Sequence, residues 1–171
     1  VVDNSIDEVV AGYAKHITIT LHTDGSCTVE DDGRGIPTGP HPSKKVSTLE
    51  VVMSYLHSGA KFNNKSYKIS GGLHGVGVSC VNALSSVFDV IVYRDGKIYK
   101  QQYSKGKKIT DVSVIGDTKR TGTAIHFLPD PTIFRNPVFK FAKVSERLKE
   151  LSYLNRGVII TLKDERENIE E

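Results

Sequence analysis

Apolar residues recur every three to four positions at the start of the chain. Val2, Ile6, Val9, Val10 and Tyr13 fall on one stripe, which predicts an amphipathic helix with Asn4, Asp7 and Glu8 on the opposite face. The period then drops to two. Ile17, Ile19 and Leu21 alternate with polar residues, Asp24-Gly25 supplies a hairpin turn, and Cys27, Val29 and Asp31 alternate in the returning strand. This phase puts Asp31 on the side of Cys27 and Val29, where a carboxylate needs a donor or a shifted pKa. Ser47 and Glu50 make a capping box for a helix whose buried face is read as Leu49, Val52, Met53 and Leu56, with Gly59 as its stop. From Gly59 to Gly77 the chain is rich in glycine, has no acid and carries Lys61, Lys65 and Lys68. It reads either as a solvated loop or as a lid over an anionic ligand, leading into a helix near Gly77 with Val78, Val81 and Leu84 inward. Strands at 90–93 and 98–103 flank Asp95-Gly96, and further strands are predicted at 112–115 and 123–127. A last helix is marked by Phe141, Val144, Leu148 and Leu151, stopped by Asn155-Arg156-Gly157 before a strand at 158–162.

Helices placed between groups of strands predict an α/β two-layer sandwich, with helices on one face of a mixed sheet. A chain of 171 residues with 38% hydrophobic content suits one domain with a single core. The formal charge of +3 is too mild to argue for a DNA-binding surface. Cys27 and Cys80 lack the paired spacing of a zinc or redox motif, so both read as small buried hydrophobes in a reducing compartment. No stretch approaches the ~18 apolar residues of a membrane span, and no leader pattern opens the chain, so the expected location is cytoplasmic. The helical pattern is already running at Val1, and upstream sequence is therefore expected to have been removed.

Three glycine-centred motifs follow in order: Asp31-Asp32-Gly33-Arg34-Gly35-Ile36-Pro37, Gly71-Gly72-Leu73-His74-Gly75-Val76-Gly77 and Thr121-Gly122-Thr123. Glycines let successive backbone N–H groups turn towards a phosphate, and Gly72, Gly75 and Gly77 lead into a helix whose amino end also favours anions. No segment reads G-x-x-x-x-G-K-[ST], and Gly72-x-x-Gly75-x-Gly77 reverses the dinucleotide fingerprint, which excludes the P-loop and disfavours a Rossmann reading.

With Val1-Val2-Asp3-Asn4 ahead of them, these motifs resemble those of the GHKL ATPases. Within that family, Asp32 to Pro37 and Ser70 to Gly77 look like the B subunits of bacterial type II topoisomerases, gyrase first and topoisomerase IV second. The resemblance covers essentially the whole chain. It implies a Bergerat-type ATP-binding fold and a single ATPase domain over residues 1–171, truncated upstream of Val1 and lacking the downstream transducer domain.

The resemblance also distributes roles. Asp31 accepts the adenine amine, Thr123 reaches the ring through a shared water, Val1, Val29 and Ile125 form the apolar wall, and Gly35, Ile36, Pro37 and Val52 lie along the base. Gly72, Leu73, His74, Gly75, Val76, Gly77 and Val78 wrap the phosphates, with Lys61 either a phosphate-side lysine or a surface one. Asn4 is the single protein ligand to Mg2+, Arg34 pairs with Glu8 at the pocket mouth, and Arg94 stands beside it. Aminocoumarin-type inhibitors are expected near Val1, Val29, Asp31, Arg34, Arg94 and Thr123. The family's general base is a glutamate four residues before the Mg-binding Asn, a position immediately before Val1, so no catalytic residue is assigned within the chain. Asp7, one turn beyond Asn4, stands on the wrong side to replace it. ATP binding with negligible turnover is expected from a monomer that does not cut DNA. The full subunit is expected to dimerise on ATP binding, to work with the gyrase A subunit and DNA, and to drive negative supercoiling. A histidine-kinase-type phosphotransferase and a purely regulatory nucleotide module are the rival readings; none of the six histidines lies in a helical dimerisation segment.

Overall fold

The computed structural model describes residues 1–55 and 77–171. Four helices are seen among them: α1 (Val2–Val10), α2 (Thr48–Ser54), α3 (Gly77–Ala83) and α4 (Phe141–Leu154). The strands are β1 (His16–Leu21), β2 (Cys27–Asp31), β3 (Ser85–Arg94), β4 (Lys97–Ser104), β5 (Lys107–Lys108), β6 (Ser113–Asp117), β7 (Gly122–Pro129), β8 (Ile159–Asp164) and β9 (Ile169–Glu170). These nine join in one sheet, ordered β5-β4-β3-β7-β2-β1-β8-β9, with β6 on the free side of β4. The β1–β8 pair is parallel and the other pairs are antiparallel, so the sheet is mixed as expected.

Alternation decides which sheet face is covered. Ile17, Ile19, Leu21, Cys27 and Val29 are buried and pack with Ile6, Leu148, Leu151 and Leu162, which joins α1 and α4 to one half of the sheet. Phe88, Val90, Val92, Tyr103 and Ile125 pack with Ile36, Leu49 and Met53 on the other half, under α2. Each such side chain contributes about 1.5–3 kcal/mol on leaving water. Val1 touches both clusters, at the seam where α1 meets the sheet.

Two hairpins turn where the glycines predicted. Asp95 and Gly96 both take positive φ, 54° and 75°, matching the right-handed twist of β3 and β4. Ser47 caps α2, its Oγ accepting from the Glu50 N–H at 3.1 Å. The buried side of α2 is Leu49, Val51 and Met53, with Val52 only partly covered. Leu56 and the expected stop at Gly59 lie outside the described residues.

Three expectations are corrected. In α1, Val10 and Tyr13 are exposed while Ser5 and Glu8 are buried. The helix ends at Val10, and Gly12 at φ 83° turns the chain, so Tyr13 leaves the helical stripe. In α3 the buried residues are Ser79 and Asn82, and Leu84, beyond the helix end, is exposed. Asn82 is held inward because its Nδ2 donates to Met53 O at 3.0 Å.

The third correction concerns the cysteines: Cys27 is buried as expected, but Cys80, next to the buried Ser79 on α3, is exposed. Burial pushes the Cys27 thiol up to about 12, so it stays protonated at neutral pH, and thiolate is the reactive form. Brief alkylation of the folded protein at about pH 8 is expected to label Cys80 alone, with Cys27 reacting only after denaturation. Peptide mass spectrometry reads this, and rapid labelling of Cys27 would contradict it.

Candidate functional site

Asp31 closes β2 opposite Thr123 of β7, and both are 4% exposed. Ser5 Oγ donates to Asp31 Oδ2 at 2.7 Å, and the Gly33 N–H donates to Oδ1 at 3.0 Å. Burial pushes the Asp31 carboxyl above its ordinary pKa. The Ser5 and Gly33 bonds pull the other way, the nearby Glu8 adds to the rise, and the Thr123 backbone opposes it.

Next along the chain, Asp32 points to the opposite face of the sheet. It accepts from the backbone N–H groups of Lys15 and His16 at 2.7 and 3.0 Å and contacts the His16 ring at 2.7 Å. Partial desolvation raises its pKa, but the His16 and Lys15 bonds outweigh this and hold it below the usual carboxylate range.

Glu8, one turn beyond Asn4 on α1, accepts from Arg34 three times: from N at 3.0 Å, Nε at 3.1 Å and Nη2 at 2.8 Å. A fork of this kind fixes the guanidinium plane as well as its position. The guanidinium lies over the Tyr13 ring, 3.7 Å from its centroid. From the other side, Arg94 Nη1 donates to Gly35 O at 2.7 Å and to Arg34 O at 3.4 Å. The turn between β2 and Pro37 is thus clamped by α1 and by the end of β3. Tyr13, Gly33, Arg34, Arg94, Asp95 and Thr121 line an open cleft at this point.

Gly33 passes between the two acids. A Cβ there would lie 2.8 Å from Glu8 Oε2 and 3.0 Å from Asp31 Oδ1, so any side chain would force one carboxylate away.

The wall beside Asp31 is apolar. Val29 and Ile125 are paired across β2 and β7 and buried, and Val52 and Val78, from α2 and α3, pack on the cluster that holds Ile125 and the buried Ile36. Thr123 Oγ1 accepts from the Ile36 N–H at 3.2 Å, which ties the turn to β7 and leaves the hydroxyl proton to donate elsewhere. Pro37 is exposed at the rim. Asn4 is half-buried on the face of α1 that carries Glu8. Gly77 is exposed at the start of α3. Lys61, Gly72, Leu73, His74, Gly75 and Val76 lie outside the described residues.

Ser5 and Tyr13 belong to this arrangement although the sequence pattern gives neither a place in it. Ser5 stands three residues before Glu8, hence on the same helical face, and that spacing is the available signal. Chemically, the arrangement offers a buried acceptor beside an apolar wall, and next to it a cleft lined by two arginines. It suits a planar ring bearing an amine whose anionic part leaves towards that cleft. Among the described residues no group of three or more His, Cys, Asp or Glu could hold a metal ion, and no helix is long and apolar enough to cross a membrane.

Residues 1–132 match the family described as "Histidine kinase-, DNA gyrase B-, and HSP90-like ATPase". The whole chain is 54% identical to the DNA gyrase B protein of Archaeoglobus fulgidus, and 96% of it is 55% identical to that of Thermotoga maritima. It spans 28% and 26% of those two proteins' lengths. Among solved structures, the 43K ATPase domain of Thermus thermophilus gyrase B, in complex with an aminocoumarin, superposes with a TM-score of 0.87 at 39% identity, over 99% of this chain and 43% of that one. Sequence and fold agree: the chain belongs to the histidine kinase-, DNA gyrase B- and HSP90-like ATPases.

Proposed function

We propose that this chain is the ATP-binding unit of a type II topoisomerase B subunit, of the gyrase kind rather than topoisomerase IV. One observation carries the nucleotide reading: Asp31 is buried to 4% exposure against Val29 and Ile125, its two oxygens held by Ser5 and Gly33. Each carboxylate oxygen keeps a lone pair beyond those bonds, and an exocyclic amine is the donor that would use it. Thr123 supplies a hydroxyl to the same ring edge. Arg34 and Arg94 line the adjoining cleft, where they would steer an anionic ligand or an aminocoumarin-type inhibitor.

The residues fit a magnesium ion through one ligand. Asn4 presents a hard amide oxygen on the face of α1 that carries Glu8, and Mg2+ bound with phosphates keeps most of its shell as water. When bound, the ion screens phosphate charge. Asn4 would orient it, and Gly77 and Val78 would sit on the phosphate side. Closure of a dimeric gate, the gyrase A subunit, DNA and supercoiling in the cytoplasm belong to the full subunit under this reading.

Binding of a non-hydrolysable ATP analogue to this chain, followed by calorimetry, tests the proposal; tight, Mg-dependent binding is expected. Stable transfer of label from γ-labelled ATP to protein would favour a phosphotransferase.

A further inference from the structure

We propose that Ser5 is a positioning residue of the base pocket, holding the Asp31 carboxylate in one orientation through the hydroxyl bond to Oδ2. The inference rests on the nucleotide reading above and deepens it.

Ser5 is 3% exposed and sits in the middle of α1, where serine has no capping role. Its Oγ lies 2.7 Å from Asp31 Oδ2 across 26 residues of sequence. A buried hydroxyl next to a carboxylate acts as a donor, because the carboxylate has no proton to offer when ionised. Gly33 holds Oδ1, so the two bonds pin both ends of the carboxylate and leave it no free rotation about the Cβ–Cγ bond. Without Ser5, the carboxylate would keep main-chain donors only, the Gly33 N–H and the Thr123 backbone.

The charged surroundings of Asp31 set how much that bond matters. From α1 comes Glu8, whose charge is opposed by the Arg34 fork. From β7 comes the uncharged Thr123, from β1 the apolar Ile17, and Asp32 is turned to the other face beside His16. Burial and Glu8 both favour the protonated acid. Ser5, Gly33 and the Thr123 backbone oppose them, and Ser5 is the one side chain of the three that can be removed without touching the backbone.

Ser5→Ala tests this, since alanine suits a helix interior and leaves the backbone bonds of α1 in place. Two readouts are taken on the chain as it stands: the carbon-13 titration of the Asp31 carboxyl without nucleotide, and affinity for a non-hydrolysable ATP analogue at about pH 6 and about pH 8. In Ser5→Ala the Asp31 titration is expected to move upward. Affinity is expected to fall about ten-fold, with a loss that grows as the pH is lowered, because the variant's acid takes up its proton more readily. A purely structural role would weaken binding equally at both pH values, and that result overturns the proposal. So does a variant whose titration and affinities match the parent. Failure of the parent itself to bind the analogue overturns the nucleotide reading, and the role of Ser5 with it.

Discussion

Asp31→Asn is expected to lower affinity for an ATP analogue by about 10–150-fold while leaving the folded protein as stable as the parent or more so. The loss is that of a charge-assisted hydrogen bond of ~1.5–3 kcal/mol. An amide turned the wrong way would add to it by presenting its own donor to the ligand amine. The gain has the opposite origin. Burial raises the Asp31 pKa, so folding favours the protonated acid. The stability this confers is fully present below the unfolded-state pKa and is lost as pH rises through the folded-state pKa. Asparagine does not ionise, and it still accepts from Gly33 and meets Ser5. The melting temperature of the variant, compared with the parent, should therefore become relatively more favourable from acid to neutral pH. Calorimetry of binding and thermal melts across that range check both halves. Undiminished affinity, or a variant much less stable at every pH, would remove Asp31 from the centre of the site.

Gly122→Ala is expected to be the most destabilising single-methyl change near the site. Gly122 opens β7 at φ 143°, and a Cβ there would lie 2.1 Å from the Asp31 carbonyl oxygen. Backbone strain of ~1–3 kcal/mol and crowding of ~1–3 kcal/mol act together. Their sum, about 2–6 kcal/mol, is a large part of the ~5–15 kcal/mol that holds a typical domain folded. The carbonyl cannot rotate away, because it belongs to the ladder that sets Asp31 against Thr123. Gly39→Ala, where nothing lies within 4 Å of the added carbon, serves as the control. Urea unfolding compares them, and a difference under about 1 kcal/mol would show that the ladder yields easily.

Strand phase is the most legible feature of the sequence. Alternation through Cys27, Val29 and Asp31 carries over to burial without a shift, since a two-residue period leaves only two choices of side. Helical faces are less legible. The stripe through Val10 and Tyr13 assumes a helix longer than the one that forms, and Tyr13 instead lies against Arg34. Ser5 escapes notice because a small polar residue on a short helix carries no apolar signal. Asn82 escapes it because its partner is the main chain of Met53, remote in sequence. The two-residue strands β5 and β9 are too short to show alternation at all. Pairing of Glu8 with Arg34 comes from family resemblance, and the three bonds between them are visible in the fold.

Two neighbouring acids of identical chemistry have opposite fates here, and only odd-even parity along β2 separates them. Deleting one residue from within that strand would carry Asp32 to the inward place and Asp31 to the outward place of Glu30, opposite Thr18, and would turn over each core side chain between the deletion and the acid. Length variation among natural versions of this domain should accordingly collect at the Asp24-Gly25 tip and avoid the five residues that lead to the acid.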